Sequence, residues 1–154
     1  MKFVDIPIRV NDIVVDAGWW NIIRTAGMVL SNLVSGAIGA GAIQRTTFSF
    51  VNNQATPAPI VGLVFDSAKY SSSIVEMEIH RKSSGSEVRE RTELVGVFAA
   101  GAWALSQGIS NANSGITFTV EPGGQVNYQS TNQLGVVEVQ QMTFRTTTMG
   151  AEGG

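Results

Sequence analysis

The chain has no cysteine and a single histidine, and only 14% of its 154 residues are charged. Without cysteine there are no disulfides and no thiolate metal sites. One histidine leaves His80 as the sole imidazole available to a nucleophilic triad, and no Gly-x-Ser-x-Gly turn accompanies it. An average soluble domain carries roughly 25% charged residues, so this surface must be neutral and polar, or partly covered by partners. Ten basic and twelve acidic residues give a net charge of −2 with no block of one sign, so no electrostatic footprint for nucleic acid is present. Asp5 and Pro7 break the start of the chain, where a secretion signal would need an unbroken apolar stretch. The uncharged run Ala26–Ile43 invites a membrane test, but Ser31, Asn32 and Ser35 interrupt it and Gly36, Gly39 and Gly41 break its second half. No membrane insertion is expected.

What is present falls into three parts. Residues 1–43 are expected to hold an N-terminal arm, an oligomerisation helix and a Gly-rich hinge, residues 44–148 a β-sandwich domain, and residues 149–154 a flexible tail. In the arm, Val4, Ile6, Ile8 and Val10 alternate with period two, Pro7 disfavours helix, and Asn11-Asp12 signals a turn before Ile13-Val14-Val15. Phe3, Ile6, Pro7, Ile8 and Val10 are the candidate anchoring residues, because an apolar segment without a local partner in sequence must lie on its own domain, on a neighbouring subunit or on a larger assembly. Asp16 is a good N-cap for a helix from about Ala17 to Val34. Trp19, Ile22, Ala26, Val29 and Leu33 follow the 3-4-3-4 spacing of a helical seam, and Ile23 and Leu30 widen the stripe. These seven are the candidate oligomerisation residues; the alternative is that the helix packs on the β domain. Gly36–Gly41 is a hinge and not a phosphate loop, since a strand follows it and no Lys is present.

From residue 44 the pattern predicts eight short strands separated by Gly, Asn, Pro and Ser turns, at 45–51, 61–65, 73–82, 87–98, 103–107, 116–121, 125–130 and 136–146. The expected fold class is mostly β: an antiparallel β-sandwich, jelly-roll-like, preceded by an extended arm and one amphipathic α-helix. Val75, Met77 and Ile79 should face the core while Glu76, Glu78, His80 and Lys82 face solvent. Glu76 and Glu78 superficially suggest paired carboxylates for glycoside hydrolysis, but a charge ladder with the strand at 89–93 explains them better. No catalytic, metal or cofactor site is expected. Trp103 and Tyr128, with Asn111, Asn113, Asn127 and Asn132, are of the types that contact glycans, although Trp103 within Ala102-Trp103-Ala104-Leu105 also suits a core.

With these segments in view, the sequence resembles structural proteins of tailed bacteriophages, of the short tail-fibre, appendage or capsid-decoration class. The residues that carry the resemblance are Lys2-Phe3-Val4-Asp5-Ile6-Pro7-Ile8-Arg9, Asp16-Ala17-Gly18-Trp19-Trp20-Asn21-Ile22-Ile23-Arg24, Thr47-Phe48-Ser49-Phe50-Val51-Asn52-Asn53-Gln54, Gly115-Ile116-Thr117-Phe118-Thr119-Val120 and Gly124-Gln125-Val126-Asn127-Tyr128. The resemblance implies a non-enzymatic homotrimer without cofactor, built into the virion in the host cytoplasm. Its arm would contact other virion proteins of the capsid, tail or baseplate, and its β domain would project, with a host surface glycan as a further partner. The competing expectations are a carbohydrate-binding β-sandwich, attached or secreted, and a small membrane-active protein using Ala26–Ile43.

Overall fold

The computed structural model describes residues 8–10, 13–15 and 41–150. The chain divides into two compact units, residues 1–37 and 38–154. In the first, β1 (Ile8–Val10) and β2 (Ile13–Val15) form a two-stranded antiparallel sheet with Ile8 opposite Val15. Branched residues at these positions favour extended backbone, and Asn11-Asp12, between the strands in sequence, is a residue pair suited to short hairpin connections.

The second unit contains β3 (Thr46–Ser49), β4 (Ala58–Val64), β5 (Ser72–Ser83), β6 (Ser86–Ala99), β7 (Ala102–Gln107), β8 (Ile116–Val120), β9 (Gln125–Ser130) and β10 (Val137–Met149). They make two antiparallel sheets, a five-stranded one in the order β3-β10-β5-β6-β7 and a three-stranded one in the order β4-β9-β8. One core lies between them. Ile60 and Leu63 from β4, Val75, Met77 and Ile79 from β5, Leu94 from β6, Val126 from β9 and Met142 and Phe144 from β10 are all at most 1% exposed. Each such side chain contributes about 1.5–3 kcal/mol by leaving water. Phe65, 1% exposed, packs closely against β6 at Gly96, where an added Cβ would stand 2.4 Å from its ring. At one seam between the sheets the Trp103 N–H donates to the Pro122 carbonyl at 3.3 Å.

The expected fold class is corrected on three points. The described residues are all β, and the helix expected over 17–34 lies outside them. The arm is not a single extended strand where it is described, because Ile8–Val10 pairs with Ile13–Val15 and satisfies backbone groups that a lone strand leaves open. The strand order is not that of a jelly roll, which needs two four-stranded sheets; here β5, β6 and β7 run as a meander inside a five-stranded sheet.

β4 carries a wide irregularity. Its register with β9 jumps between Pro59 and Val64, and the Gln125 side-chain amide faces the freed carbonyls of Ile60 and Leu63 at 3.3 and 3.5 Å. This explains why the strand begins at Ala58 and not at Val61, three residues earlier than the alternation indicates.

Candidate interaction surface

Three connections meet at the end of the second unit that holds the β5–β6 turn, and a buried arginine organises them. Strict alternation along β5 puts Arg81 on the same face as Val75, Met77 and Ile79, and it is 2% exposed. Among the described residues, no carboxylate lies within ion-pair distance of it. Its Nε donates to Gln140 Oε1 at 2.9 Å, and Nη2 donates to Asn52 Oδ1 at 2.7 Å and to the Thr131 carbonyl at 2.8 Å. Nη1 donates to the Ser114 carbonyl and to Thr131 Oγ1. The guanidinium also sits 5.9 Å from the centre of the Phe50 ring. All five donors are therefore occupied, and burial pushes the group's pKa below its ordinary value without making it neutral at pH 7. Neighbouring Glu90, 4% exposed, accepts from the Ser114 N–H at 2.7 Å and from Ser110 Oγ. The Ser114 residue thus spans the two buried charges, one through its N–H and one through its carbonyl. Asn52 extends the network by accepting from the Gln133 N–H and donating to the Gln133 carbonyl. The loops at 50–57, 108–115 and 131–136 are fixed to the sheets through these bonds. Loops held by a rigid frame are where β-sandwiches place contacts, and Leu134 and Val136 stand 78% and 72% exposed on one of them.

The second feature is the outer face of the five-stranded sheet. Glu76 receives an ion pair from Arg145 on β10 and another from Arg91 on β6 at 3.5 Å. Arg89 pairs with Glu78 at 3.7 Å and with Glu87 at 3.3 Å, His80 Nε2 meets Glu87 Oε1 at 2.9 Å, and Lys82 pairs with Glu138. A hollow of about 290 Å³ lies over Arg45, Glu76, Glu78, Thr143 and Arg145. The hydrogen bond from Arg145 holds the Glu76 carboxyl below the usual carboxylate range, and His80 does the same for Glu87. A glycosidase acid needs its pKa raised. Glu76 is held in the opposite direction, so this pair is a charge ladder.

Of the candidate glycan contacts, Asn111, Asn113 and Asn132 are exposed, but the two rings, Trp103 and Tyr128, are not brought to the surface. Trp103 is 5% exposed and packs against Phe65, Tyr70 and Phe98 at ring distances of 4.9, 5.7 and 5.4 Å. Tyr128 is 3% exposed between Phe48 and Phe50, and its hydroxyl accepts from the Val51 N–H at 3.1 Å. A ring must offer a face to stack on a sugar, and neither does. Asn111 caps the Arg91 N–H at 2.6 Å, and Asn127, 6% exposed, donates to Glu121. The oligomerisation candidates Trp19, Ile22, Ile23, Ala26, Val29, Leu30 and Leu33, and the anchoring candidates Phe3, Ile6 and Pro7, lie outside the described residues. Ile8 and Val10 lie on β1. Arg81 and Glu90 were not among the candidates, although the period-two rule applied without regard to charge places both inside.

No protein-family model matches the chain. No curated protein matches it. Among solved structures it is similar to the tailspike protein of Acinetobacter phage vB_ApiP_P1, with 12% identity over 70% of this chain and a TM-score of 0.40. The chain spans about a fifth of that tailspike's length, 21%.

Proposed function

We propose that this chain is a non-enzymatic structural component of a bacteriophage particle, of the tail-fibre, appendage or capsid-decoration kind, docked on the particle through residues 2–15. The observation that carries the docking is the β1–β2 hairpin. Among the described residues its strands pair only with each other, in a two-stranded sheet, and an isolated two-stranded hairpin is marginal in water. Adding it to the sheet of another protein satisfies its outer N–H and C=O groups and covers its apolar residues. The sequence resemblance to phage structural proteins supplies the identity of that other protein, a capsid, tail or baseplate subunit. Self-association as a homotrimer belongs in this reading to the apolar residues between Trp19 and Leu33. Carbohydrate binding is the weaker reading, because the rings of Trp103 and Tyr128 are inside the core.

The test is location. In lysates of host cells infected with phage encoding a tagged copy, gold labelling of the tag should decorate the outside of purified particles at one recurrent place. A tag found only in the soluble fraction would rule the reading out.

A further inference from the structure

Among residues 41–150, every charged side chain but two has a hydrogen-bond or ion-pair partner, and the two exceptions are Arg45 and Glu93. Their places are related. Arg145 stands directly opposite Glu76, and Glu76 directly opposite Glu93. Arg45 precedes Thr46, which pairs with Phe144, so continuing that register puts Arg45 beside Arg145, and both line one hollow. One cross-strand row on the outer face of the five-stranded sheet therefore carries the charges plus, plus, minus, minus. Its inner pair is satisfied. Its outer two charges are free, about 14 Å apart across three strand spacings.

We infer that this face binds a second copy of the chain, face to face, about a two-fold axis running along the strands between β10 and β5. That rotation reverses the row, so Arg45 of each copy stands over Glu93 of the other and Arg145 over Glu76. An axis along the row would instead put like charges together, so the charges select one arrangement. The outward residues of β3 and β10 next along the strands from this row, Thr47, Ser49, Gln141 and Thr143, are uncharged, so Glu78, Arg89 and Arg91 of the partner copy meet no like charge there. The charged Glu138 of β10 lies farther along, beside Lys82. One end of the same face is apolar, with Val97 and Met149 45% and 65% exposed beside Ile74 and Val95. Because the axis follows the strands, this band meets its own counterpart. The contact is isologous and closes on itself.

The isolated sheet has a further property that points outward. Like charges directly opposite each other weaken a sheet, and this row holds two such pairs, Arg45 beside Arg145 and Glu76 beside Glu93. Their cost within one chain is offset when each free charge meets its opposite on another copy.

The experiment is a charge swap read by sedimentation velocity on the full chain. Wild type should contain an even number of copies, whatever number residues 17–34 hold together. Arg45→Glu and Glu93→Arg, each alone, should weaken association at least about tenfold and halve the mass at micromolar concentration. The double variant should restore it. Circular dichroism spectra of both single variants should match wild type, which separates lost association from lost folding, because association itself raises the melting temperature by mass action. Salt at 0.5 M should weaken the wild-type contact. An odd copy number in wild type, wild-type mass in the single swaps, or a double variant that stays at half mass would overturn the inference.

Discussion

Arg81→Leu is expected to lower the unfolding free energy by about 3–5 kcal/mol, a large part of the roughly 5–15 kcal/mol of an ordinary domain. Leucine fills part of the volume but leaves Gln140 Oε1 and the carbonyls of Ser114 and Thr131 without their donor, while Asn52 Oδ1 keeps only the Gln133 N–H. Each buried acceptor so orphaned costs about 1–3 kcal/mol, less whatever relaxation recovers. Arg81→Lys keeps the charge but has no planar fork and cannot reach acceptors on β10 and all three loops, so it should fall between wild type and leucine. Urea denaturation gives the free energies. Hydrogen exchange should show the loops at 50–57, 108–115 and 131–136 opening in the lysine variant while the β5–β10 pairing stays protected. A loss below about 1 kcal/mol for Arg81→Leu would mean that desolvating the guanidinium costs as much as its bonds return, as happens for some buried ion pairs.

The second large effect is expected at Gly124→Ala. Gly124 closes the turn between β8 and β9, accepting from the Phe65 N–H at 2.9 Å and donating to the Glu121 carbonyl at 2.8 Å. Its φ is +100°, and an added Cβ would lie 2.2 Å from the Phe65 carbonyl oxygen and 3.1 Å from Trp103 Cδ1. The nearest obstacle is backbone, which cannot rotate aside as a side chain can. Strain and clash together should cost about 2–4 kcal/mol. The adjacent Gly123 provides the control, since a Cβ there meets nothing within 4 Å. Gly123→Ala should leave the melting curve within about 0.5 kcal/mol of wild type. Equal effects at the two positions would show that the close approach of Phe65 to the turn does not exist.

The positions of the strands in the second unit are legible from punctuation and period. The pattern places β5 at 73–82 and the structure has Ser72–Ser83; it places β9 at 125–130 and the structure agrees. The interior is less legible wherever charge and period disagree. Arg81 and Glu90 have the parity of Ile79 and Leu94, yet their charge argues for solvent, and only the acceptors gathered from distant loops reverse that. The same network explains β10. Its apolar parity slips from Val137 and Val139 to Met142 and Phe144 because Gln140 is drawn inside, 7% exposed, to meet Arg81, while a register shift between Val137 and Val139 leaves Val137 outside. Sheet membership is illegible for another reason. Which strand pairs with which depends on contacts far apart in sequence, such as β10 entering between β3 and β5, and alternation within one strand carries no record of its neighbour. The β1–β2 pairing is half legible, in the turn residues Asn11-Asp12 between two triplets rich in branched residues, but nothing in the sequence says that the two triplets pair with each other.

The central claim is that residues 2–15 dock the protein onto a particle, and co-sedimentation tests it most directly. Purified wild-type chain and a variant lacking residues 2–15 are each mixed with particles devoid of the protein and spun through a sucrose cushion. The account predicts that wild type pellets with the particles in a saturable amount and that the deletion variant stays in the supernatant, while its melting curve matches wild type because the second unit keeps its own core. Co-sedimentation of the deletion variant at the wild-type level would contradict the account and move the attachment to the β domain.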